Sequence, residues 1–470
     1  MKSELGMWCL RMKIVLFYPP NNEEYGLFEN AQPLDYPLGL CYIAAVLEKR
    51  GHEVKIFDLD HDKRFNGIKS AESIILNEKP DIVGISCLTY NRKGAFRITK
   101  IAKNINSNIK VIIGGPHATF FPEQIAEHVP VDFVITGEAE PTIDELMASL
   151  EENKDFDQIP GLAFKDKDGN IRVNKTREWS VDINSLLMPA HHHFADQIRE
   201  KKWAHVIGNR GCPFGCNFCS TTYFWGLRTR KRDPKNVIDE VEDLVKKYGV
   251  EDIYFEDDTF SIDQEWAKEI CEEIIRRGLK IRWQAITRFN CITKELLSAM
   301  KESGCERLTF GLESGAAKIL NNLHKGLNKD IVIKGFELLK DSGIEVGLFM
   351  MVGNPGENEE TVKETCELFD TVGYYDVESI SILQLFPNTP FYYMAREKGL
   401  ISDDFWIKDD APIPYYLGEH DLRALQKYAL DIILHCQKKK GLKNLIKFSA
   451  TAGKRIAIRK AKEIKQMCIA

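Results

Sequence analysis

Three cysteines at close spacing carry the strongest chemical signal in the sequence. Cys212, Cys216 and Cys219 lie in the run Cys-Pro-Phe-Gly-Cys-Asn-Phe-Cys, directly after a predicted strand. Gly211 and Gly215 give this loop access to backbone angles that other residues avoid. A structural zinc site normally has four protein ligands, and no fourth Cys or His occurs at close spacing. The incomplete set favours a metal centre with an open position, such as a [4Fe-4S] cluster that leaves one iron free for a small chelating ligand.

The spacing of these cysteines, with the aromatic residue Phe218 before the last of them, resembles the radical S-adenosylmethionine superfamily. The resemblance implies a [4Fe-4S] cluster on Cys212, Cys216 and Cys219, with S-adenosylmethionine chelating the open iron through its methionine amino and carboxylate groups. It also implies that an electron from the cluster splits the bond from sulfur to C5′. The product is a 5′-deoxyadenosyl radical, which can take hydrogen from unactivated carbon. The alternative interpretations of the motif are a degenerate zinc loop and a set of buried thiols.

Polar motifs follow the later predicted strands, where a β/α barrel places its chemistry. The resemblance implies that Glu256 and Asp257 contact the methionine amino group, although the capping of a loop would use the same residue types. It implies that Arg288 pairs with the methionine carboxylate, a task to which the bidentate geometry of arginine is suited. Glu313, in a Gly-Leu-Glu-Ser-Gly run, matches the acid that binds ribose, since one carboxylate can accept hydrogen bonds from both hydroxyls.

Two further loops fit the same series. A Val-Gly-Asn-Pro-Gly-Glu run resembles the glycine-rich turn through which the backbone at Gly353 and Pro355 approaches adenine. The run Phe386-Pro-Asn-Thr-Pro390 is similar to the closing loop of the family. The resemblance extends from about residue 204 to residue 399, and its elements arrive in the expected order.

The bulk composition is that of a globular protein with more than one domain. The chain has 470 residues, of which 44% are hydrophobic and 29% are charged, so it is too long for a single ordinary core. Its longest apolar runs have the length of a strand and fall far short of the roughly 20 residues that cross a bilayer. The N-terminus lacks the pattern of a signal peptide, and twelve cysteines in a reducing compartment point to metal ligation or buried thiols. We therefore expect a cytoplasmic protein.

The periodicity of the chain predicts an α/β protein with two domains, a linker and an extension. Residues 1–152 alternate apolar β-rich runs with amphipathic segments, which is typical of a parallel sheet covered by helices. Residues 153–195 are polar and form the predicted linker, with a hairpin turn at Asp166-Lys-Asp-Gly-Asn170. Residues 196–405 predict a partial (β/α)6 barrel, and residues 406–470 predict a helical, basic extension. The strands are predicted near Lys13–Tyr18, Glu53–Phe57, Ile82–Cys87, Val111–Gly114 and Phe133–Thr136 in the first domain, and near Ala204–Asn209, Asp252–Glu256, Ile281–Ala285, Arg307–Gly311, Glu345–Val352 and Ser379–Phe386 in the second.

The first domain resembles the Rossmann-like, cobalamin-binding domain attached to one large branch of the same superfamily. The residues that this resemblance places at the cofactor are Ser86, Leu88, Thr89, Gly114, Gly115, Gly137 and Glu138. The glycines allow a bulky nucleotide tail to lie against the sheet, and the hydroxyls of Ser86 and Thr89 can hydrogen-bond to it. The alternative is a Rossmann-like domain that has lost the cofactor and serves packing or closure over a substrate.

One departure from the cobalamin pattern concerns the metal ligand. Domains of the methionine-synthase type supply a histidine to cobalt after the first strand, and no histidine occurs between Tyr18 and Tyr42. His61 follows the second strand and has the wrong spacing. Many radical members of this branch lack that histidine too, so cobalamin is expected without a protein histidine ligand.

Two other polar features have plain structural explanations. The run His191-His-His193 offers imidazoles, but consecutive side chains point in different directions, so a solvated or locally hydrogen-bonded loop is expected. Residues 437–470 hold nine Lys and two Arg against one Glu, a net charge of +10, whereas the whole chain carries −6. Such a tail can make a peripheral contact with an anionic membrane surface, and a basic helix packed on the barrel would have the same pattern. Nucleic acid is not expected as a partner, because Phe448 is the only aromatic residue of the tail.

Together these features predict an enzyme that cleaves S-adenosylmethionine to a radical. The leading hypothesis is cobalamin-dependent methylation of an unactivated carbon, with methylcobalamin as the methyl donor. The resemblance implies a small molecule or a lipid as substrate and a flavodoxin- or ferredoxin-type electron donor. Two alternatives stay open. The same branch includes radical cyclases, rearrangement enzymes and oxidoreductases of secondary metabolites, tetrapyrroles or lipids, and a non-catalytic, metal-stabilised binding protein would fit the cysteine motif alone.

Overall fold

The first domain is built on a seven-stranded sheet in the computed structural model, which describes residues 11–21, 36–177 and 182–441. Its strands are β1 (Lys13–Tyr18), β2 (Glu53–Asp58), β3 (Ile82–Ser86), β4 (Lys110–Gly114), β5 (Phe133–Ile135), β6 (Leu162–Lys165) and β7 (Ile171–Val173). They lie in the order β2-β1-β3-β4-β5-β6-β7, with β1 to β5 parallel and the last two antiparallel. The five parallel strands confirm those predicted from the sequence, with shifts of one residue at several ends.

Helices cover both faces of this sheet. They are α1 (Leu38–Lys49), α2 (Lys69–Glu78), α3 (Arg92–Ile105), α4 (Pro116–Phe120), α5 (Pro122–His128) and α6 (Ala139–Glu152). Ile14 and Leu16 of β1 pack with α1 and α6, whereas Val15 and Phe17 pack with α2, α3 and α5. Successive strand residues point to opposite faces, so a strand that is apolar throughout belongs in a sheet buried on both sides. The strand order places a topological switch point between β1 and β3, where such sheets bind ligands at the carboxyl ends of their strands.

The hairpin predicted around Asp166 forms β6 and β7 and extends the first sheet. β6 pairs antiparallel with β5. The Asp166 carboxylate closes the turn by accepting the N–H groups of Asp168 at 3.0 Å and Asn170 at 2.9 Å. Part of the predicted linker is thus a part of the first domain, because pairing with β6 satisfies the backbone groups along the edge of β5.

The histidine run after this hairpin is not the solvated or locally hydrogen-bonded loop that the sequence predicts, because its three imidazoles contact carboxylates that are distant in the chain. Nε2 of His191 lies 3.0 Å from the Glu240 carboxylate, and His191 is buried. His192 and His193 both contact Oε1 of Glu48, at 3.0 and 2.7 Å. The run therefore packs the segment before the barrel against α1 and the second domain.

The second domain contains a six-stranded parallel sheet and a short antiparallel pair. Its strands are β8 (Trp203–Val206), β9 (Asn209–Arg210), β10 (Arg230–Lys231), β11 (Asp252–Phe255), β12 (Arg282–Thr287), β13 (Cys305–Glu313), β14 (Glu345–Val352) and β15 (Ser379–Ile382). The parallel sheet has the order β15-β14-β13-β12-β11-β8, and β9 pairs with β10. This open series of six strands confirms the predicted partial barrel. Its helices, together with that of the extension, are α7 (Ala195–Lys201), α8 (Thr221–Trp225), α9 (Pro234–Tyr248), α10 (Gln264–Arg276), α11 (Lys294–Glu302), α12 (Ala317–Asn322), α13 (Lys329–Lys340), α14 (Glu359–Val372), α15 (Pro390–Glu397) and α16 (Leu422–Lys439).

The helix α9 illustrates how local sequence sets these elements. The Asp233 side chain accepts the N–H of Lys235 at 2.8 Å, and Pro234 occupies the first helical position, where its missing N–H costs nothing. Gly249 ends the helix. Between these ends, apolar residues at helical spacing face the core.

The residues after the barrel turn back onto the first domain. Trp406 is fully buried, and its carbonyl accepts a hydrogen bond of 3.2 Å from Nε of Arg92 on α3. The Arg92 guanidinium lies 5.1 Å from the Trp406 ring centroid, and the His117 ring meets the same ring edge-on at 5.7 Å. The extension therefore helps to hold the two domains together.

The basic tail lies mostly outside the described residues. The helix α16 ends at Lys439, and the membrane contact predicted from the sequence falls largely on residues 442–470. Of the helices that the structure describes, none is both long enough and apolar enough to cross a membrane.

Candidate active site between the two domains

The three cysteines lie on the loop between β9 and α8. Cys216 is buried, and Cys212 and Cys219 are half-buried. The loop folds back on itself, because the N–H of Cys219 donates to the carbonyl of Cys216 at 3.2 Å. Asn217 fastens the loop to α12 by donating from its side chain to the carbonyl of Asn322 at 2.7 Å. The thiols are thus presented from one fixed turn.

Two carboxylates after β11 hold both ends of this loop. Oδ1 of Asp257 accepts the backbone N–H groups of Gly208 at 2.7 Å and Asn209 at 2.9 Å. Asp258 accepts the N–H of Gly211 and the hydroxyl of Thr221, each at 3.1 Å. Burial raises the pKa of Asp257 to about 7. Asp257, which the sequence predicts as a contact of S-adenosylmethionine, braces the start of the cysteine loop in this structure.

The thiols sit in surroundings that favour their neutral form until a metal binds. Burial raises the pKa of Cys212, and it raises the pKa of Cys219 to about 11. Coordination removes the thiol proton outright, so metal binding here releases protons. Nη1 of Arg288 lies 3.8 Å from Sγ of Cys216 and supplies a positive charge beside the thiolates that would form.

Arg288, Glu313 and Phe218 are brought together around Lys325. The Arg288 guanidinium carbon lies 3.7 Å from the Phe214 ring centroid, and the same side chain donates to the carbonyl of Lys325. Nζ of Lys325 lies 3.0 Å from Oε1 of Glu313 and 5.6 Å from the Phe218 ring centroid. Both cations are buried. The arrangement offers two positive charges and one carboxylate next to the cysteine loop.

Glu313, which carries the ion pair to Lys325, also has an unusual backbone conformation. Glu313 has a φ of 65°, which is uncommon for a residue other than glycine. The register between β13 and β14 shifts at the same place. A Cβ at Gly311 would lie 2.6 Å from Oε1 of Glu313 and 2.9 Å from Nζ of Lys325, so glycine is needed to leave room for the ion pair. Strain of this kind concentrates at functional sites.

The Glu357 side chain fixes the turn after β14. Its carboxylate accepts the N–H of Gly353 and, at 3.1 Å, that of Asn354. Burial raises the pKa of Glu357 to about 7. The carbonyl of Pro355 accepts a hydrogen bond of 2.8 Å from the Asn322 side chain. The two residues predicted to approach adenine therefore lie on a turn fixed at both sides.

A cavity of about 350 Å³ is lined by residues of both domains, a size typical of small-molecule sites. Its apolar part is a slot between one face of the first sheet and the helices α1 and α6, lined by Leu16, Leu40, Ile112 and Ile143 among others. Of the residues predicted to bind cobalamin, those in the lining are Ser86, Leu88, Gly114, Gly115, Gly137 and Glu138. Thr89 is not in the lining, and its hydroxyl lies 3.4 Å from Nδ1 of His117.

Glu256 is the carboxylate that the second domain presents to this cavity. Its side chain keeps 27% exposure because it borders the open space, and Oε2 lies 3.8 Å from Nδ1 of His205. Burial, with the charges of Asp257 and Asp258, raises the pKa of Glu256 to about 8. A carboxyl group whose pKa is raised in this way, at the edge of the cavity, can exchange a proton with a group bound there.

The Glu138 carboxylate binds two arginines of the second domain. It accepts from Nη1 of Arg210 at 2.8 Å and from Nη1 of Arg230 at 2.6 Å. Arg210 also donates to Glu140 at 2.6 Å, and its guanidinium lies 5.1 Å from the Tyr42 ring centroid. Because the cysteine loop begins directly after Arg210, this buried network ties that loop to the wall of the cavity.

The residues of the site that the sequence motifs do not mark include Asp258, Arg210 and Lys325. Asp258 is adjacent in the chain to Asp257, and Arg210 lies directly before the cysteine loop. Both could have been found from these neighbours. Lys325 lies 12 residues beyond Glu313, on the far side of α12, and no local pattern marks it.

Sequence comparison places the two domains in known families. Residues 27–147 match the B12 binding domain, and residues 206–369 match the Radical SAM superfamily. An uncharacterized methyltransferase of Pyrococcus horikoshii is 34% identical over 405 residues, which cover 84% of this chain and 86% of the relative. The anaerobic magnesium-protoporphyrin IX monomethyl ester cyclase of Rubrivivax gelatinosus is 30% identical, and the match covers 71% of this chain and 61% of the cyclase.

A solved structure shares the fold of both domains. TsrM, a radical S-adenosylmethionine methyltransferase of Kitasatospora setae with cobalamin and a [4Fe-4S] cluster bound, superposes with a TM-score of 0.69 at 21% identity. The match covers 83% of this chain and 78% of that chain. The predicted combination of a cobalamin-binding domain and a radical core is confirmed, and the chain belongs to the radical S-adenosylmethionine enzymes that carry an N-terminal B12-binding domain.

Proposed function

We propose that this enzyme transfers a methyl group to an unactivated carbon of a small molecule or a lipid, with cobalamin as the carrier of the methyl group. The observation that carries the proposal is the shared cavity. The loops of the first sheet and Glu256 and Arg210 of the second domain line one space, so a group held by the first domain lies next to a substrate held by the second. The methyltransferase relative, 86% of which the match covers, supports the same function.

The residues present fit the cofactors that this function requires. Three thiols on one braced turn match the ligand set of a cluster with an open iron, and the apolar slot between α1, α6 and the sheet matches an inserted nucleotide tail. When bound, the [4Fe-4S] cluster supplies the electron that cleaves S-adenosylmethionine to a 5′-deoxyadenosyl radical. Cobalamin, when bound, supplies a transferable methyl group.

The chain's own residues then bind and orient the reactants. Arg288 and Lys325 provide cations for the methionine carboxylate, and Glu313 accepts the ribose hydroxyls once S-adenosylmethionine separates it from Lys325. Asp257 and its neighbour Asp258 brace the start of the cysteine loop by accepting backbone hydrogen bonds from it and from the residues just before it. Such positioning can lower a barrier by several kcal/mol, because the reacting atoms are already aligned.

A radical cyclisation or rearrangement is the second candidate, favoured by the cyclase relative. Incubation with S-adenosylmethionine carrying a CD3 group, reductant and a protein-free metabolite extract distinguishes the two. Methylation predicts a CD3-labelled product with deoxyadenosine and S-adenosylhomocysteine in equal amounts. Deoxyadenosine without S-adenosylhomocysteine or labelled product would refute it in favour of the cyclase-type reaction.

The control for this assay is a variant in which Cys212, Cys216 and Cys219 are all changed to alanine. It should form no deoxyadenosine. A wild-type protein that holds zinc after anaerobic iron reconstitution and also forms no deoxyadenosine would instead be a metal-stabilised binding protein.

The proposal also includes a cellular compartment and an electron donor for the enzyme. The cluster takes one electron for each cleavage, which a flavodoxin- or ferredoxin-type protein can deliver, and a reducing compartment such as the cytoplasm keeps the three cysteines as thiols. A peripheral membrane contact through residues 437–470 stays a prediction from the sequence.

A further inference from the structure

The end of α1 and the segment before the barrel bring two histidines and one carboxylate to a single point. Nε2 of His192 lies 3.0 Å from Oε1 of Glu48, and Nε2 of His193 lies 2.7 Å from the same oxygen. All three ligand atoms lie within 4.8 Å of one another. None of these residues belongs to the cysteine loop or to the lining of the cavity between the domains. Two imidazoles and one carboxylate are a ligand set that proteins use for zinc.

The backbone that carries the histidines is already fixed against its surroundings. A 3-10 helix spans His191–Phe194. Just before it, the N–H of Ala190 donates to the carbonyl of Cys41 on α1 at 3.0 Å. The first imidazole of the run contacts the buried carboxylate of Glu240 at 3.0 Å. Because these contacts hold the segment against α1, a metal ion would not have to order this part of the chain.

The spacing of the ligand atoms is close to that of a tetrahedral zinc site. Zinc binds imidazole nitrogen at about 2.0–2.1 Å and carboxylate oxygen at about 2.0–2.2 Å, so two such ligands of a tetrahedron lie about 3.3 Å apart. The contacts of Oε1 of Glu48 with the two imidazoles, at 3.0 and 2.7 Å, are slightly shorter. Small rotations of the three side chains therefore open the space that the ion needs.

The protonation and the exposure of the cluster also suit a metal ion. Burial lowers the pKa of His193 despite the opposing effect of Glu48, and the charge of His192 lowers it further. A lowered pKa favours the neutral imidazole, which is the form that ligates metals. The His192 side chain is 56% exposed, whereas those of His193 and Glu48 are 12% and 29% exposed. An ion can thus enter from solvent, and a water molecule can take the fourth position.

We propose that Glu48, His192 and His193 bind a zinc ion, with water as the fourth ligand. Glu48 lies on α1 of the first domain, and the two histidines lie on the segment that leads into α7. The ion therefore clamps the first domain to the start of the second. This site is independent of the proposed methyl transfer. The alternative use of the same side chains is a pair of hydrogen bonds from the two imidazoles to one carboxylate.

Zinc binding by the full-length enzyme without a histidine tag tests the site. The [4Fe-4S] cluster is assembled first under anaerobic conditions, so that the cysteines are occupied, and zinc is measured by equilibrium dialysis and metal analysis. We expect a single zinc ion per chain, both in this holoenzyme and in the triple-alanine variant of the cysteine loop. X-ray absorption at the zinc edge should show imidazole scattering and only nitrogen or oxygen ligands, near about 2.0–2.1 Å. Sulfur at about 2.3 Å is the signature of zinc in the cysteine loop instead.

Two variants of the cluster separate metal binding from hydrogen bonding. Glu48→Gln keeps an oxygen that accepts the imidazole N–H groups but removes the anionic ligand, and His193→Ala removes a nitrogen ligand. Loss of an outer partner of a metal ligand weakens binding about 10- to 100-fold, so loss of a ligand should weaken zinc binding by more than about 10-fold. The matched control is His128→Ala, because His128 is an exposed histidine 3.6 Å from the Glu127 carboxylate. It should bind zinc as the wild type does.

Three results would overturn the proposal. The first is a wild-type enzyme that binds no zinc, and the second is zinc held only through sulfur. The third is equal zinc affinity in Glu48→Gln and the wild type, because the carboxylate would then serve only as a hydrogen-bond acceptor. The zinc-edge spectrum of the wild type decides the ligand set even if a variant does not fold.

Discussion

Replacing Arg210 by methionine tests whether the buried ion network stabilises the joined domains. Methionine keeps part of the side-chain volume and removes the charge, so Glu140 loses the arginine to which it is hydrogen-bonded at 2.6 Å. Glu138 keeps its contact with Arg230. Removing one partner of a buried ion pair costs about 3–5 kcal/mol, because the remaining charge is uncompensated. We expect Arg210→Met to lower the free energy of unfolding by that amount at pH 8.

The loss should depend on pH in a direction that Glu140 sets. Burial pushes the pKa of Glu140 upward, but the charge and hydrogen bond of Arg210 outweigh burial and bring that pKa below its ordinary value. In the wild type the pair therefore stabilises the fold above the ordinary glutamate pKa, and this contribution disappears as pH falls through the lowered pKa. In Arg210→Met burial dominates, the pKa of Glu140 rises, and the folded variant gains a proton on acidification. The difference from wild type should shrink between pH 8 and roughly pH 5.

Urea unfolding of the oxygen-free apoprotein, followed by tryptophan fluorescence at both pH values, measures this effect. The matched control is Arg282→Met, because Arg282 pairs with Asp252 at 2.6 Å but is 53% exposed. An exposed pair contributes at most about 1 kcal/mol. Equal losses in the two variants, or a loss at Arg210 that grows on acidification, would refute the reasoning.

The other expected outcomes concern the metal, the co-substrate and two buried side chains. Cys212→Ala should prevent cluster assembly in anaerobic reconstitution, whereas Cys291→Ala, a buried thiol outside the loop, should retain iron and sulfide on chemical analysis; retention of a full cluster by Cys212→Ala would contradict the site. Glu313→Gln should weaken binding of S-adenosylmethionine about 10- to 100-fold in equilibrium dialysis, because hydrogen bonds to a charged acceptor contribute about 1.5–3 kcal/mol. Burial raises the pKa of Glu357 to about 7. The protonated Glu357 therefore contributes to the free energy of unfolding at low pH, and the wild type loses this contribution as pH rises through that value. Glu357→Gln should therefore flatten the fall in melting temperature between roughly pH 5 and pH 8, and identical profiles would argue against it. Trp406→Ala should lower the urea-unfolding free energy by about 3–5 kcal/mol, because the indole is fully buried.

The strands could be predicted from the sequence because their side chains are apolar on both faces. β14 has the predicted bounds, Glu345–Val352, since a parallel strand buried on both sides is a continuous apolar run that needs no context to recognise. The short helices α2, α4 and α5 are not predicted. The buried residues of α2 are only Ala71, Ile74 and Ile75, and α4 spans five residues, too few to establish a helical period.

The residues of the site also differ in whether neighbouring sequence could predict them. The cysteine loop could be predicted because its three cysteines lie close together in the sequence. The sequence could not predict which of three adjacent carboxylates faces the cavity, because the direction of each side chain depends on how the loop leaves β11. These carboxylates are Glu256, Asp257 and Asp258. The contact of Glu138 with Arg210 spans 72 residues and exists only once the domains are packed together. Sequence motifs therefore find groups that act from one loop, and packing assembles the rest.

The contact between Trp406 and Arg92 has a consequence for folding during synthesis of the chain. The two residues are 314 positions apart, so at a synthesis rate of about 5–20 residues per second Arg92 leaves the ribosome roughly 15 to 60 s before Trp406 does. During that interval the Arg92 guanidinium and the His117 ring lack the Trp406 side chain that packs against them in the folded protein. Nascent chains of this enzyme should therefore bind chaperones at the α3 surface until translation is nearly finished.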